Sequence, residues 1–356
     1  MKLHIMYKFK EGSWGGANQF LKALKDEFKK RDRYAENSED ADVVLFNSYP
    51  FGSEFFFDQV RDLKKKYPEK IILHRLTGPI AMYRKDDTVI DRIIKLFNES
   101  FVDGIIFQSK WCMEQCRNQW NITSAYNTVL LNASSKKIFN RKNKRAFSHY
   151  GKIKLVASSW SDNWGKGFDI FQYLDEYLDF SKYEMTFIGN SPIHLKNIKH
   201  IPPVSSEDLV GLLKESDIFI FGSRIEACSN SLIEALSCGL PAVVPNSSSN
   251  PELIGSGGEF FEGTNDVLDK IEKIANSYKE YQNALPQFKI KKVSNKYYEF
   301  ARTIYDDIQK NEYNTKQITF NAQINYYKIK ALVLGWKIQK KWSLLRDFLN
   351  VKNYEN

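Results

Sequence analysis

Two series of short apolar runs, each run separated from the next by a longer amphipathic stretch, limit the folds open to this chain more than any other feature. The first series is KLHIMYKF, ADVVLFNS, KIILHRLTGP, DGIIFQSKW and AYNTVLLNAS; the second is KIKLVASS, YEMTFIGN, NIKHIPPVS and DIFIFGS. Runs this short that stay apolar without alternation belong to strands buried on both faces, the condition of a parallel sheet covered by helices. The stretches between them carry the helical period: Phe20, Leu21, Leu24 and Phe28 share one face of ANQFLKALKDEFKKR. SSEDLVGLLKES adds a serine N-cap with acids in its first turn. The fold class that follows is α/β, with two doubly wound parallel-sheet units in tandem.

At 356 residues the chain exceeds the roughly 100–200 residues of a usual single core, as two units require. The basic, polar NRKNKRAFSHYG at 140–151 reads as the linker, which gives a first domain over 1–148 and a second over 149–290. Residues 291–356 read as helices throughout and hold 13 lysines and arginines against 6 acidic residues, most of the chain's net charge of +9. Within them Ile338, Trp342, Leu345 and Leu349 form an apolar stripe among Lys337, Lys340, Lys341 and Arg346. That pattern suits packing back on the first domain and equally suits docking on an anionic membrane surface. No apolar run approaches the ~18 residues that span a bilayer, and MKLHIMYKFKEG is too charged for a secretory signal, so a cytoplasmic protein is expected, peripheral on the inner face of the membrane if the tail docks. Four cysteines are too few for a disulfide framework and read as structural thiols. Asp40-Ala41-Asp42 has the spacing of a metal-binding pair but precedes its strand; it reads as a solvated turn, and no metal is expected.

Ligands of open α/β sheets bind outside the carboxyl ends of the strands, so the informative residues should lie on strand-to-helix turns. The stretch RIEACSNSLIEALSCGLPAV is such a turn. Glu226 precedes a helix expected from about Asn230 to Cys238, capped by Ser229 or Asn230 and stopped by Gly239 and Pro241. Eight residues at 100° each put Glu226 and Glu234 about 80° apart even on one ideal helix, so they serve different purposes. A helix N-terminus facing a cleft offers free N–H groups to anions, which makes the backbone of Cys228, Ser229, Asn230, Ser231 and Leu232 a candidate diphosphate site. A carboxylate on either side of it would accept paired sugar hydroxyls.

SRIEACSNSLIEALSCGLPAVVPNSSSNPELIG resembles the nucleotide-sugar motif of the retaining glycosyltransferases of family 4, the group 1 glycosyl transferases with the GT-B fold. Glu226, Glu234, Ala235, Gly239, Pro241 and Val243 match its pattern in order. The resemblance implies two sheets facing a cleft and C-terminal helices that cross back. It implies donor-sugar hydroxyls at Glu226 and the nucleotide ribose at Glu234. VASSWSDNWGKGFDIF resembles the family's strand, loop and helix, so Lys166 carries over as a diphosphate ligand; Ser158, Ser159 and Ser161 stand where the family usually has an Arg, and Arg224 is a candidate substitute. SWGGAN resembles the first-domain loop whose glycines, Gly15 and Gly16, let backbone amides approach donor phosphates and acceptor. HRLTGP resembles a segment of some such transferases, with His74, Arg75 and Thr77 as acceptor-side candidates, Thr77 standing where an acid is usual. VLLNASSKKIFN matches at Asn132 and Phe139 and reads as mostly structural. The resemblance spans roughly Met1 to Gly263, densely in the second domain and loosely in the first.

The implied activity is metal-independent transfer, with retention, of a sugar from a UDP-sugar first and a GDP-sugar next to a glycan or lipid-linked glycan hydroxyl in polysaccharide or glycoconjugate synthesis. Glu226 and Lys166 are its catalytic candidates. Two rivals remain: a sugar phosphorylase or epimerase on the same scaffold, and a non-enzymatic basic protein that binds membrane or RNA. No nucleic-acid partner is expected, because the tail lacks dense arginine runs and recognisable RNA motifs.

Overall fold

The computed structural model describes residues 1–10, 16–47, 55–84 and 88–352. In the first half, strands β1 (Leu3–Met6), β2 (Val43–Asn47), β3 (Ile71–Leu76), β4 (Gly104–Phe107) and β5 (Tyr126–Val129) form one parallel sheet in that order. A single bridge from Leu3 to Tyr34 adds a neighbour on the free side of β1, so the order of the chain reverses there. Helices α1 (Gly16–Lys29), α2 (Phe55–Lys66), α3 (Ile80–Tyr83), α4 (Thr88–Phe101) and α5 (Lys110–Trp120) cover the two faces. The expected apolar face of α1 is the buried one: Phe20, Leu21, Leu24 and Phe28 are each at most 2% exposed. Each such side chain contributes about 1.5–3 kcal/mol relative to exposure.

The second sheet has the order β11-β10-β9-β6-β7-β8, again all parallel. Its strands are β6 (Ile153–Ser159), β7 (Tyr183–Gly189), β8 (Lys199–Ile201), β9 (Ile218–Ile220), β10 (Ala242–Pro245) and β11 (Gly258–Phe261). Helices α6 (Phe168–Tyr177), α7 (Ser206–Glu215), α8 (Asn230–Ser237), α9 (Asn250–Ile254), α10 (Val267–Asn276) and α11 (Tyr278–Asn283) flank it. The chain winds outward from β6 to β8 and then returns to β9 on the other side of β6. The gap between β6 and β9 is therefore the topological switch point, where a crevice forms outside the strand ends.

Two helices cross back. In α12 (Ile290–Gln309), Tyr297, Ala301 and Ile304 join the core cluster that holds Phe20, Leu24 and Phe28 of α1. In α13 (Phe320–Lys352), Tyr326 and Ile329 enter the core shared by α2 and α4. Asp58 anchors it, accepting from Tyr326 at 2.5 Å and Lys330 at 2.8 Å. The residues read as a linker are docked on the second domain, with Lys144 donating to the Ser216 carbonyl at 2.5 Å and Arg145 paired with Asp217. Among the described residues no helix is long and apolar enough to cross a membrane.

Candidate active site

Glu226 lies in the turn after β9, and α8 begins four residues later at Asn230. Ser229 is the N-cap, its hydroxyl accepting from the Leu232 amide at 3.3 Å. This corrects the expectation for Leu232: its amide is already taken, and its side chain is sealed in the second domain's core. The amides of Cys228, Ser229, Asn230 and Ser231 remain at the mouth of the cleft.

The loop after β6 brings Lys166 to this turn. Asn163 caps a single turn over Trp164–Lys166, and Gly167 follows with φ +90. A Cβ at Gly167 would stand 2.4 Å from the Gly222 backbone just past β9, so the Lys-Gly pair lets two loops touch. The result is an ion pair between Lys166 Nζ and Glu226 Oε1 of 2.5 Å. Lys166 keeps a third of its side chain exposed, and both residues line the cleft.

The cleft has a volume of about 360 Å³, within the usual range for a small-molecule site. Ser158 and Ser159 at the end of β6, Glu226, Cys228 to Ser231 and Glu234 all line it. The Ser159 hydroxyl is spent on the Ser161 carbonyl at 2.7 Å and shapes the loop. Cys228 is buried, which pushes its thiol up to about 12, so it is not a thiolate at neutral pH and offers its backbone alone. From the first domain, Gly16 reaches the same space at the N-terminus of α1. A Cβ there would lie 2.3 Å from the Asn230 side chain, so two helix N-termini converge on one cavity with no room between them for a larger residue. Gly15 lies outside the described residues.

Glu234 points into the cleft from the second turn of α8. It is half-buried, burial pushes its carboxyl up to about 8, and it makes no hydrogen bond or ion pair among the described residues. An unsatisfied acceptor facing open space is suited to a ligand's hydroxyls.

Arg224 does not line the cleft. Its guanidinium is held by both oxygens of Asp169, at 3.0 and 2.7 Å, which corrects its proposed role beside the phosphates. The first-domain candidates are corrected more sharply. His74 is fully buried, its Nδ1 2.6 Å from Asn98 Oδ1 and its ring among Phe46 and Phe97; burial pulls it down to about 4. Arg75 is 1% exposed and donates to Asn47, Gln108 and Asn132 at 2.6–2.7 Å. Thr77 is half-buried and accepts from Gln108 Nε2. None of the three lines the cleft.

Sequence reasoning missed the apolar end of the cleft, where Ile188, Pro203, Val204 and Leu209 converge beside Trp160. It also missed two ties between the domains. Glu252 of α9 accepts from the Lys110 and Trp111 amides at 2.9 Å, capping α5 from the opposite domain. Asn132 donates to the Cys228 carbonyl at 3.1 Å. Neither tie has a local sequence signal, since Glu252 lies 141 and 142 residues from the amides that it accepts from. Among the described residues no group of three or more His, Cys, Asp or Glu is placed to hold a metal ion.

Two sheets with facing carboxyl edges, a ligand-sized cleft between them and returning C-terminal helices define the GT-B fold, which solved glycosyltransferases share. HepE of Anabaena in complex with UDP and glucose superposes with a TM-score of 0.64 at 13% identity, covering 85% of this chain and 100% of that one. Sucrose-phosphate synthase from Thermosynechococcus elongatus gives 0.63 at 11% identity, covering 85% and 98%. Residues 193–289, which include Glu226, α8 and Glu234, match the model of the family described as glycosyl transferases group 1. An uncharacterized 41.2 kDa protein in the cps region of Klebsiella pneumoniae is 25% identical over 193 residues, 51% of this chain and 54% of that protein. The chain thus matches about half the length of that curated relative.

Proposed function

We propose that this chain is a retaining glycosyltransferase that moves a sugar from a nucleotide-diphosphate donor, UDP-linked first and GDP-linked next, to a hydroxyl of a glycan or lipid-linked glycan. The observation that carries this reading is the Lys166–Glu226 pair of 2.5 Å at the mouth of α8, with Glu234, which has no partner among the described residues, on the same cleft. The diphosphate sits on the amides of Cys228 to Ser231, with the N-terminus of α1 across from them. Lys166 offsets the charge that grows on the departing phosphate, so this chemistry needs no metal. Glu234 receives the ribose hydroxyls and Glu226 those of the sugar, while the apolar end near Pro203 and Val204 takes the base.

In the reaction the bond from the anomeric carbon to the diphosphate oxygen breaks and the acceptor oxygen bonds to that carbon from the same face. The acceptor proton passes to the departing phosphate oxygen on that face. Glu226 is held by Lys166 and serves to position the sugar, not to form a covalent intermediate. The structure of HepE with UDP and glucose supports a nucleotide donor, and the cps-region relative supports work on polysaccharide. Four free, buried cysteines go with a cytoplasmic location.

The test is a panel of UDP-, GDP- and ADP-sugars scored by thermal stabilisation, repeated with Glu226→Ala and Glu234→Ala. The best donor should lose most of its stabilisation in both variants; unchanged shifts would remove the two glutamates from the site. The anomeric configuration of the product, read by NMR, decides retention. Release of sugar phosphate with inorganic phosphate alone would favour a phosphorylase.

A further inference from the structure

Helix α13 has two apolar faces. One, through Tyr326 and Ile329, is packed on the first domain. Opposite it, Phe320, Ile324, Tyr327, Leu334, Ile338 and Trp342 recur at intervals of three, four or seven residues and point outward. Tyr327 is 64% exposed, Leu334 61% and Trp342 69%. At 100° per residue these six side chains fall within about 80° of one another, a stripe about 33 Å long on the helix surface. Ile338 and Trp342 belong to the stripe expected from sequence; the side chains of Leu345 and Leu349 lie outside the described ones.

The flanks of the stripe decide what covers it. Lys328 lies on one side and Lys337 and Lys341 on the other, Lys330 being held by Asp58 of the first domain, and no acidic residue occurs between Tyr313 and Arg346. A second copy of the helix would bring lysine against lysine, whereas pairing helices normally set charges of both signs beside their seam. A sheet of anionic headgroups meets the lysines on both flanks while the stripe enters the acyl boundary, with Trp342 and Tyr327 at the level where aromatic rings favour the interface. The lysines recur too often for the helix to cross a bilayer, so it lies in the plane of the surface.

We propose that the outward face of α13 docks the protein flat on an anionic lipid bilayer. The first domain is thereby held at the surface, where a lipid-linked acceptor would be presented, while the donor half of the cleft is untouched.

The full chain is sedimented with phosphatidylcholine vesicles and with vesicles that contain roughly a third phosphatidylglycerol. Binding is expected to the anionic vesicles alone, and to weaken as salt is raised toward 1 M, where the screening length falls to about 3 Å. Leu334→Glu with Trp342→Glu should weaken it at least about tenfold, and Lys337→Glu with Lys341→Glu by a similar factor. These side chains are exposed, and unchanged thermal stabilisation by the donor verifies that the variants fold. No sedimentation of the unaltered chain, or equal binding by the variants, would overturn the proposal. So would a dimer in light scattering that Leu334→Glu with Trp342→Glu dissolves, which would assign the stripe to a second copy. Donor stabilisation does not involve α13, so the membrane proposal and the transferase reading can fail separately.

Discussion

At the carboxyl end of β3, His74 and Arg75 are sealed in the first domain's core, while at the carboxyl ends of β6 and β9, Ser158, Ser159 and Glu226 line open space. Arg75 has three amide oxygens on its guanidinium; Glu234 has no hydrogen bond or ion pair among the described residues. Polar groups packed in a core fix a structure, and an unsatisfied one at a cavity is available to a ligand. The contrast teaches that the end of β3 is built to be packed and the ends of β6 and β9 to bind. It also divides the effects of mutation: first-domain changes should act on stability, second-domain changes on turnover.

The comparison breaks most readily at Arg75. Arg75→Met should destabilise the protein by about 4 kcal/mol in urea unfolding, because three buried oxygens each lose a charged donor at once. A loss of turnover with stability intact would return Arg75 to the list of functional residues. Next, Lys166→Ala should lower kcat about 10²- to 10³-fold, roughly 3–4 kcal/mol of transition-state stabilisation, with little change in melting temperature. Equal turnover in Lys166→Ala would show that the helix N-termini suffice and would remove the residue from the mechanism.

His74 sharpens the contrast through pH. Its folded pKa is about 4, lowered by burial from 6.5. A lowered histidine contributes stability that is present above 6.5 and is lost as pH falls toward 4, here at most about 3 kcal/mol. His74→Phe, which keeps a ring beside Phe46 and Phe97, should flatten the stability profile between pH 6.5 and 4 and leave turnover at neutral pH nearly unchanged. The same steep decline in the variant would show that other groups cause it.

What the sequence disclosed, and what it hid, follows the same division. The motif of Glu226 and Glu234 is contiguous, so its capping serine, its stop at Gly239 and its place after a strand could be read directly, and β6, β9 and α8 lie where the runs put them. His74 and Arg75 misled because β3 is buried on both faces along its whole length. A polar residue at the end of such a strand looks alike in sequence whether it faces a cleft or a core. Arg75 is explained by Asn47, Gln108 and Asn132, which come from three other segments, and the Glu252 cap joins two domains; neither has a local pattern. Arg224 failed for a related reason, since its partner Asp169 sits 55 residues away on α6.

The smallest expected effect is the most specific test of the open half. Glu234 titrates at about 8, so at neutral pH its carboxyl is mostly protonated when the cleft is empty. Ribose hydroxyls donate better to an ionised carboxylate than to a neutral acid. Binding therefore selects the charged form, and the Kd of the donor should fall as pH rises, levelling off above about 8. Between pH 6.5 and 8.5 the change is at most about 25-fold, the increase in the ionised fraction. A nucleotide sugar is the proper probe, because its doubly esterified diphosphate does not titrate over this range and contributes no slope. Glu234→Gln should bind more weakly at pH 8.5 and with no pH dependence between these limits. A flat profile in the unaltered protein, or the same slope in the variant, would mean that Glu234 does not meet the ligand, and the distinction between a packed strand end and an open cleft would lose its strongest support.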